Sequence, residues 1–292
     1  MKYFLEKKQY ENTNYVSYGI DESLIDLATI PEIFLKEEDK KAIFSGYDKN
    51  KVKSTIGFLL GRDGCDYSIN QYFLYSILAV GLDIRFITYD KIAEQMQEID
   101  GLILPGGFFN SPKEWYEEKV EQEADKRAKA YIQASQEAFR RGLPVFGVCG
   151  GMQMMSEVWA SEKGLLMHYN LNKETRTTET HKPQDRHNFA HDVLIDKNSI
   201  LHRIVGEEKI SVNSNHGEAL TMKSINKVKD ILKLSAQSPE GIVEGVEFMG
   251  YPSLAFGVQW HPEILFAKYQ DNASRKLFEY FSIYCDISAS NS

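Results

Sequence analysis

From Ser54 onward, short apolar runs alternate with longer segments in which apolar residues recur at helical spacing. The apolar runs predict strands at 55–61, 84–88, 102–104 and 145–148, with a loop at 62–67. The helical spacing predicts helices at 69–80, 91–97 and 121–141. Because strands and helices alternate and the strands are apolar throughout, we expect a parallel sheet with helices on both faces.

The pattern changes after Trp159. Residues 161–190 are polar and rich in threonine, lysine and histidine, which predicts a long connection. More strand-like runs follow at 193–195, 210–212, 232–234, 243–246 and 254–260, and a closing helix is expected at 273–284.

The first 53 residues lack this alternation. They are polar, with a charged cluster at 36–41 that suits a solvated face and apolar residues between 20 and 34 that suit a helix or packed arm. We interpret 1–53 as an N-terminal extension that is ordered in part, and 54–292 as one α/β domain.

Composition narrows the class of protein. The chain has 292 residues and a net charge of −8 without a long basic run, which argues against nucleic acid as a partner. Its three cysteines, at 65, 149 and 285, form no Cys-x-x-Cys pair, so a zinc ribbon or disulfide framework is not expected. The start resembles no signal peptide and no stretch reaches the length of a membrane span, so we expect a cytoplasmic protein without a membrane partner.

The segment 144–153 carries the strongest chemical signal. A predicted strand runs into Gly147-Val148-Cys149-Gly150-Gly151, and helix-favouring residues follow. A strand, a sharp turn and a helix with a nucleophile between glycines are typical of a nucleophile elbow. The helix N-terminus would favour the thiolate of Cys149. Taken alone, the motif also fits a buried cysteine beside a glycine-rich turn.

Two other strand ends supply what a thiol nucleophile needs. His261 and Glu263 are two residues apart, so in an extended chain they would point to the same side, and the carboxylate would orient the imidazole. A Pro-Gly-Gly turn presents the N–H groups of Gly106 and Gly107 at another strand end, and with the N–H of Gly150 they could form an oxyanion hole.

In this order, the motifs at 105–107, 147–153 and 257–263 resemble the class I glutamine amidotransferase fold family. The stretch Val-Asn-Ser-Asn-His-Gly-Glu-Ala at 212–219, together with 191–193 and 238–246, is similar to the gamma-glutamyl-gamma-aminobutyrate hydrolase group within it. The resemblance implies a flavodoxin-like α/β fold with a mostly parallel central sheet and a small antiparallel part in the C-terminal half. It also implies a cysteine hydrolase that cleaves a small gamma-glutamyl amide through a glutamyl thioester, in amino-acid or polyamine catabolism.

The resemblance assigns roles to individual residues. They are Cys149 as nucleophile, His261 as base and acid, Glu263 as its orienter, Gly106, Gly107 and Gly150 around the oxyanion, Gln153 at the glutamyl head group, and His216 in the substrate pocket. It implies no cofactor. A small gamma-glutamyl substrate is the expected partner, and a homodimer is left open.

Two departures from the family pattern bear on the substrate. Glu218 stands where the hydrolases usually carry glutamine, and this acid would repel a carboxylate-bearing leaving group and favour an amine. Gly150 stands where relatives often carry arginine, which removes a charge beside the pocket.

Two other functions remain open from sequence. One is a glutaminase subunit that delivers ammonia to a separate synthase, and the other is a non-catalytic regulatory module of the same fold. His181, His187 and His191 have spacings that a metal site could use, but no cysteine or acidic set matches them, so we expect loop or packing roles and no metal.

Overall fold

A computed structural model describes residues 6–9, 16–20, 54–63, 66–107, 109–115, 121, 123–162, 181 and 183–291. The strands are Glu6–Gln9 (β1), Val16–Ile20 (β2), Thr55–Leu59 (β3), Gly61–Asp63 (β4), Asp66–Asn70 (β5), Asp83–Ile87 (β6), Gly101–Leu104 (β7), Val145–Val148 (β8), His191–Ile195 (β9), Lys209–Val212 (β10), Leu232–Gln237 (β11), Val243–Phe248 (β12) and Ala255–Val258 (β13). The helices are Gln71–Ala79 (α1), Ile92–Gln95 (α2), Lys126–Arg141 (α3), Gly150–Glu162 (α4), Ile200–Val205 (α5), Met222–Lys227 (α6), Pro262–Tyr269 (α7) and Asn272–Asn291 (α8), with 3-10 turns at Met96–Glu98 and Lys113–Trp115.

Among the described residues, nine strands form one sheet in the order β10-β9-β11-β12-β13-β8-β7-β3-β6. The strands from β13 to β6 are parallel, and those from β12 to β10 are antiparallel. The predicted α/β fold, with a parallel centre and an antiparallel C-terminal part, is therefore confirmed. The carboxyl ends of β7, β8 and β13 lie side by side, which is where an open α/β sheet places its site.

Helices cover both faces of this sheet. One buried core contains Phe73 of α1 and Phe278 of α8, together with the strand residue Phe146. The other contains Tyr131 of α3 and Met152 of α4. Burial on both faces explains why the central strands are apolar throughout.

A second, antiparallel sheet has the order β1-β2-β5-β4. Its strand β2 pairs with β5, with Ser17 opposite Asn70 and Ile20 opposite Tyr67. The predicted loop at 62–67 is wrong where the structure describes it, because residues 62–63 belong to β4 and residues 66–67 belong to β5. Of the helix or arm expected between 20 and 34, Ile20 belongs to β2, and residues 21–34 lie outside the described residues. The domain boundary at 54 stays a prediction.

Two helices begin later in the chain than the sequence predicted, each after a capping side chain. Helix α1 begins at Gln71 rather than 69, because Ile69 is in β5 and the Asn70 side chain accepts the N–H of Tyr72. Helix α3 begins at Lys126 rather than 121, because the Asp125 side chain accepts the N–H of Ala128. Most of the polar connection at 161–190 lies outside the described residues. No helix in the described part of the chain is long and apolar enough to cross a bilayer.

Candidate active site

Cys149 lies on a strained turn between β8 and α4. Its φ of 53° is in the left-handed region, and its N–H donates to the carbonyl of Val258 on β13 at 2.8 Å. A side chain at Gly151 would overlap the Leu104 carbonyl, and one at Gly147 would overlap Met155. The two glycines around the nucleophile are therefore required by close packing of α4 against the strands, as a nucleophile elbow demands.

His261 and Glu263 form an ion pair. The Nδ1 of His261 lies 2.8 Å from Oε1 of the fully buried Glu263 carboxylate. The expectation of an extended chain here is wrong: β13 ends at Val258, His261 is the N-cap of α7, and Pro262 and Glu263 form its first turn. Proline favours the first helical position, so the helix start brings the carboxylate to the imidazole.

Asn213 holds the backbone of His261 at two points. Its side-chain oxygen accepts the N–H of His261 at 3.0 Å, and its amide donates to the His261 carbonyl at 3.1 Å. Asn213 is fully buried and follows β10. A residue of the antiparallel part of the sheet therefore fixes the position of His261.

The charge state of His261 follows from these neighbours. Burial on its own would lower the pKa of His261, but the Glu263 carboxylate and then Cys149 outweigh it, and the pKa stands well above its usual value. An imidazole with a raised pKa accepts a proton readily, which suits the base of a thiol nucleophile.

The turn of Gly106 and Gly107 lies against the nucleophile. A Cβ on Gly106 would lie 2.9 Å from Cβ of Cys149 and 3.1 Å from Cε1 of His261. Gly107 has a φ of 148°, and a side chain on it would overlap the guanidinium of Arg127. Glycine is therefore required at both positions, and the backbone itself faces the space beside the thiol.

Two side chains of α3 hold this turn in place. Arg127 donates from Nη2 to the Gly106 carbonyl at 2.7 Å, and the hydroxyl of Tyr131 donates to the Pro105 carbonyl. Arg127 also contacts the Tyr131 hydroxyl at 3.1 Å. With the carbonyls held toward α3, the N–H of Gly107 is available to a ligand on the other side.

Gly150 is the first residue of α4, so its N–H is one of the donors that a helix start leaves without an intrahelical partner. A Cβ here would lie 2.9 Å from the ring of Phe109. That ring packs on Tyr131, with centroids 5.1 Å apart. Phe109 therefore occupies the space that a side chain at 150 would need.

A pair of glutamines lies beneath the nucleophile. The side-chain amide of Gln153 donates to Oε1 of Gln259 and to the Glu218 carbonyl, both at 2.9 Å. Gln259 contacts Sγ of Cys149 at 3.5 Å. Because both hydrogens of the Gln153 amide are used, what Gln153 can offer a substrate is its carbonyl oxygen, an acceptor.

The predicted pocket residue His216 lies in a buried cluster with His181, His191 and Glu244. It connects to the glutamine pair because its Nδ1 lies 3.1 Å from the same Glu218 carbonyl. His187 lies apart from this cluster, with its ring edge-on to Tyr72. Burial lowers the pKa of His187, and the positive charges of Lys268 and His261 add to the effect.

The structure brings together Cys149, His261, Glu263, the three glycines and Gln153, and it places His216 behind Gln153. Sequence reasoning did not assign roles to Asn213, Gln259, Arg127 or Tyr131. Asn213 and Gln259 lie within the motifs at 212–219 and 257–263. Their polar side chains next to apolar strand residues could have indicated a role in the site. Arg127 and Tyr131 are four residues apart on one helix face, but nothing in the sequence relates that face to the Pro-Gly-Gly turn.

The fold and this site define a class I glutamine amidotransferase-like protein. Residues 67–263 match the Peptidase C26 family, and the chain belongs to that family. It is similar to the gamma-glutamyl-gamma-aminobutyrate hydrolase PuuD of Escherichia coli K12, at 30% identity over 236 residues covering 75% of this chain and 86% of the relative. It is also similar to Protein NtpR of Enterococcus hirae, at 29% identity over 191 residues covering 64% and 75%.

Solved structures share the fold. The glutaminase domain of Trypanosoma brucei CTPS with bound acivicin superposes with a TM-score of 0.55 at 19% identity, covering 82% of this chain and 94% of that one. A protein described as part of a GMP synthase from Thermoplasma acidophilum gives 0.51 at 17% identity, covering 80% and 94%. The family match and the similarity to gamma-glutamyl-gamma-aminobutyrate hydrolases make the chain a glutamine amidotransferase-like hydrolase.

Proposed function

We propose that this protein hydrolyses the amide bond of a small gamma-glutamyl compound through a thioester on Cys149. The observation that carries the proposal is the strained elbow of Cys149 lying with the His261–Glu263 pair around the backbone of Gly106. A nucleophile, a base and an orienting carboxylate are the parts that acyl transfer needs. The similarity to gamma-glutamyl-gamma-aminobutyrate hydrolases supports this substrate class.

The proposed reaction has two stages. The Cys149 thiol gives its proton to Nε2 of His261, and the sulfur attacks the side-chain carbonyl carbon of the glutamyl group. The oxyanion accepts hydrogen bonds from the N–H groups of Gly107 and Gly150. His261 then passes its proton to the leaving amine as the carbon–nitrogen bond breaks. In the second stage, water loses a proton to His261 and attacks the thioester, which releases glutamate and restores the thiol.

Two side chains bear on the choice of substrate. The carbonyl oxygen of Gln153 is suited to accept a hydrogen bond from the α-ammonium group of a glutamyl head. Glu218, whose carbonyl binds Gln153, adds a negative charge to the same loop. We therefore expect gamma-glutamyl amines such as gamma-glutamylputrescine to be preferred over gamma-glutamyl-aminobutyrate, whose leaving group carries a carboxylate.

The test is glutamate release from a panel of glutamine, gamma-glutamyl-aminobutyrate, gamma-glutamylputrescine and glutathione. Cys149→Ala should abolish turnover, and an electrophilic glutamine analogue should add its mass to the peptide containing Cys149. Cys285→Ala is the matched control, because Cys285 is fully buried in the core against Gly101 and should leave turnover and labelling unchanged.

Turnover that survives in Cys149→Ala, or labelling on Cys285 alone, would contradict the proposal. Turnover confined to glutamine and low in the purified protein would favour a glutaminase that needs a synthase partner. If Glu218→Gln hydrolyses gamma-glutamyl-aminobutyrate faster relative to gamma-glutamylputrescine than the wild type does, the role given to Glu218 is supported.

A further inference from the structure

Three histidines and a glutamate meet in the interior of the antiparallel part. His191 begins β9, Glu244 lies in β12, His216 follows β10, and His181 lies in the connection before β9. Glu244 and His181 are fully buried, and the side chains of His191 and His216 are 4% and 3% exposed. Four ionisable groups from four segments are thus held out of water together, which is costly unless a specific partner compensates.

The contacts within this cluster are too long for hydrogen bonds to Glu244. Oε1 of Glu244 lies 3.4 Å from Nδ1 of His181 and 3.6 Å from Nε2 of both His191 and His216. A direct N–H···O bond spans about 2.7–3.2 Å. Within the described part of the chain, neither carboxylate oxygen of Glu244 has a hydrogen-bond partner.

The tautomers of two rings leave lone pairs facing the carboxylate. Nδ1 of His191 lies 3.1 Å from the Asp192 carbonyl, and Nδ1 of His216 lies 3.1 Å from the Glu218 carbonyl. A carbonyl oxygen only accepts, so both Nδ1 atoms carry the proton, and the neutral rings turn Nε2 lone pairs toward Glu244. Nδ1 of His181 lies 3.2 Å from Nε2 of His216 and can donate a proton to it. Nε2 of His191 and both carboxylate oxygens of Glu244 still have no hydrogen-bond partner among the described residues, and a cation between them would compensate their burial.

The spacing fits a metal ion. Ligand bonds of about 2.0–2.1 Å place the donor atoms of a tetrahedral zinc site about 3.3–3.4 Å apart. The three distances to Glu244 Oε1 are 3.4–3.6 Å, Nδ1 of His181 lies 3.2 Å from Nε2 of His216, and all four donor atoms lie within 4.8 Å of one another. Backbone carbonyls that fix the outer nitrogen of a ring are also typical of metal-ligating histidines.

We propose that His181, His191, His216 and Glu244 bind one divalent transition-metal ion, with Zn²⁺ as the ion that the N₃O donor set and the spacing suit. The sequence offered no acidic partner for these histidines, because Glu244 comes from a strand more than fifty residues after His191. The four ligands close the site, so the ion would be structural.

The location of the proposed metal site indicates which parts of the structure the ion would hold together. Its ligands tie the connection at His181 to β9, β12 and the loop of His216, and that loop also carries Asn213 and the Glu218 carbonyl. Asn213 holds His261, and the Glu218 carbonyl holds Gln153. The metal would thus fix the antiparallel part that positions two elements of the catalytic site, without touching the substrate.

The experiment uses untagged full-length protein. Elemental analysis of the purified chain, and of chelator-treated chain reloaded with ZnCl₂, should give about one zinc per chain. Reloading should raise Tm by about 5 °C when free Zn²⁺ exceeds Kd about 100-fold. Loading with Co²⁺ should give the intense visible absorption of a tetrahedral site.

Matched variants locate the ion. His191→Ala should weaken zinc binding by at least about 100-fold, and Glu244→Gln should do the same where it folds. His202→Ala removes a partly exposed histidine of α5 outside the cluster and should keep the metal. Cys149→Ala should also keep it, which excludes the Cys149 thiol as a ligand.

The proposal is overturned if folded wild-type protein takes up no zinc, if His191→Ala binds it as tightly as the wild type, or if Cys149→Ala loses it. The first result would mean that the histidines hold protons in place of a metal. These readouts do not depend on hydrolysis, so they stand or fall separately from the proposed function.

Discussion

At the scale of single residues, the buried carboxylates differ in what faces them. Glu263 pairs with His261, and Glu244 faces three histidines. Glu157 of α4 is 1% exposed, and its Oε2 has no hydrogen-bond partner among the described residues. Burial without a compensating charge raises the pKa of Glu157 to about 9, so it is neutral near pH 7.

Glu157→Gln should stabilise the fold, and more so at higher pH. Below the usual pKa of 4.5 both states hold the proton. Above it the unfolded chain loses the proton that the native state keeps until about pH 9, so native stability falls as pH rises, by up to about 3 kcal/mol at pH 7. Urea unfolding between about pH 5 and pH 8 should show the variant gaining on the wild type with pH.

Glu207→Gln is the control, because Glu207 is exposed in the turn after α5. Its unfolding free energy should track that of the wild type across the same range. A constant difference between Glu157→Gln and wild type would show that Glu157 is ionised in the native state.

Glu263→Gln should lower the pKa of His261, because Glu263 contributes most to raising it. The amide can still accept the Nδ1–H bond but carries no charge to stabilise the imidazolium, so kcat should fall by at least about 100-fold. NMR titration of ¹⁵N-histidine-labelled protein reports the pKa directly. An unchanged His261 titration in this variant, with Glu207→Gln alongside, would refute the ion pair.

At the scale of elements, α3 acts on the site from the side. It is a long amphipathic helix packed on α4, and its residues Arg127 and Tyr131 hold the carbonyls of the Pro-Gly-Gly turn. The N–H of Gly107, which we propose as an oxyanion donor, is therefore oriented by a helix that contributes no group to the proposed reaction. Its effect belongs to geometry, since misplacement by about 1 Å can cost about 100-fold in rate.

Arg127→Met should lower kcat by about 10- to 100-fold, because the turn loses the bond to the Gly106 carbonyl. KM should change less than kcat, since the oxyanion forms only during reaction. Lys129→Met removes a charge from the exposed face of the same helix and should leave both constants unchanged. Equal kcat in the two variants, each with native thermal unfolding, would show that the turn holds without Arg127.

At the scale of the whole molecule, the second sheet joins the chain's beginning to the helix that follows β5. Strand β5 pairs with β2 on one side and β4 on the other, and its Asn70 caps α1. Tyr67 and Ile69 of β5 are buried in the core under α1. The N-terminal strands therefore brace an element that the main sheet does not contain.

Removal of residues 1–20 should loosen β5 while leaving the main sheet intact. Strand β5 would lose its β2 partner and keep only the short β4. Hydrogen exchange followed by mass spectrometry should show faster exchange in the peptide covering 66–70, with β8 and β13 as internal controls. Unchanged exchange at 66–70 would mean that β1 and β2 contribute nothing to its stability.

The main fold was predictable because its signals are local. Buried parallel strands leave unbroken apolar runs, and each motif of the site stands where such a run ends, at 105–107, 149–151 and 261–263. Strand ends on one edge of a sheet meet, so Cys149, His261 and Glu263 were expected close together, and the resemblance to the amidotransferase fold family supplied the role of each.

What could not be predicted depends on contacts distant in sequence. The ring of Phe109 fills the space beside Gly150, and Glu244 completes the histidine cluster. Both residues are far in sequence from the groups they contact, so no sequence motif relates them. Strands β4 and β5 were missed because β4 is a short, polar edge strand and β5 has only Tyr67 and Ile69 as apolar residues. The contact between His261 and Glu263 was expected in an extended chain, whereas it forms at the start of α7. A pair two residues apart can meet in either geometry, so the sequence spacing did not distinguish them.

The left-handed backbone of Cys149 has a consequence for how such a chain evolves. A non-glycine residue in this conformation costs on the order of 1–3 kcal/mol, whichever side chain it carries. Replacing the proposed nucleophile by serine or alanine would remove the thiol without relieving that cost, whereas glycine would relieve it. Under the proposed function, a lineage released from selection for hydrolysis would therefore drift toward glycine at 149, and selection for the reaction would keep cysteine there against a standing penalty in stability.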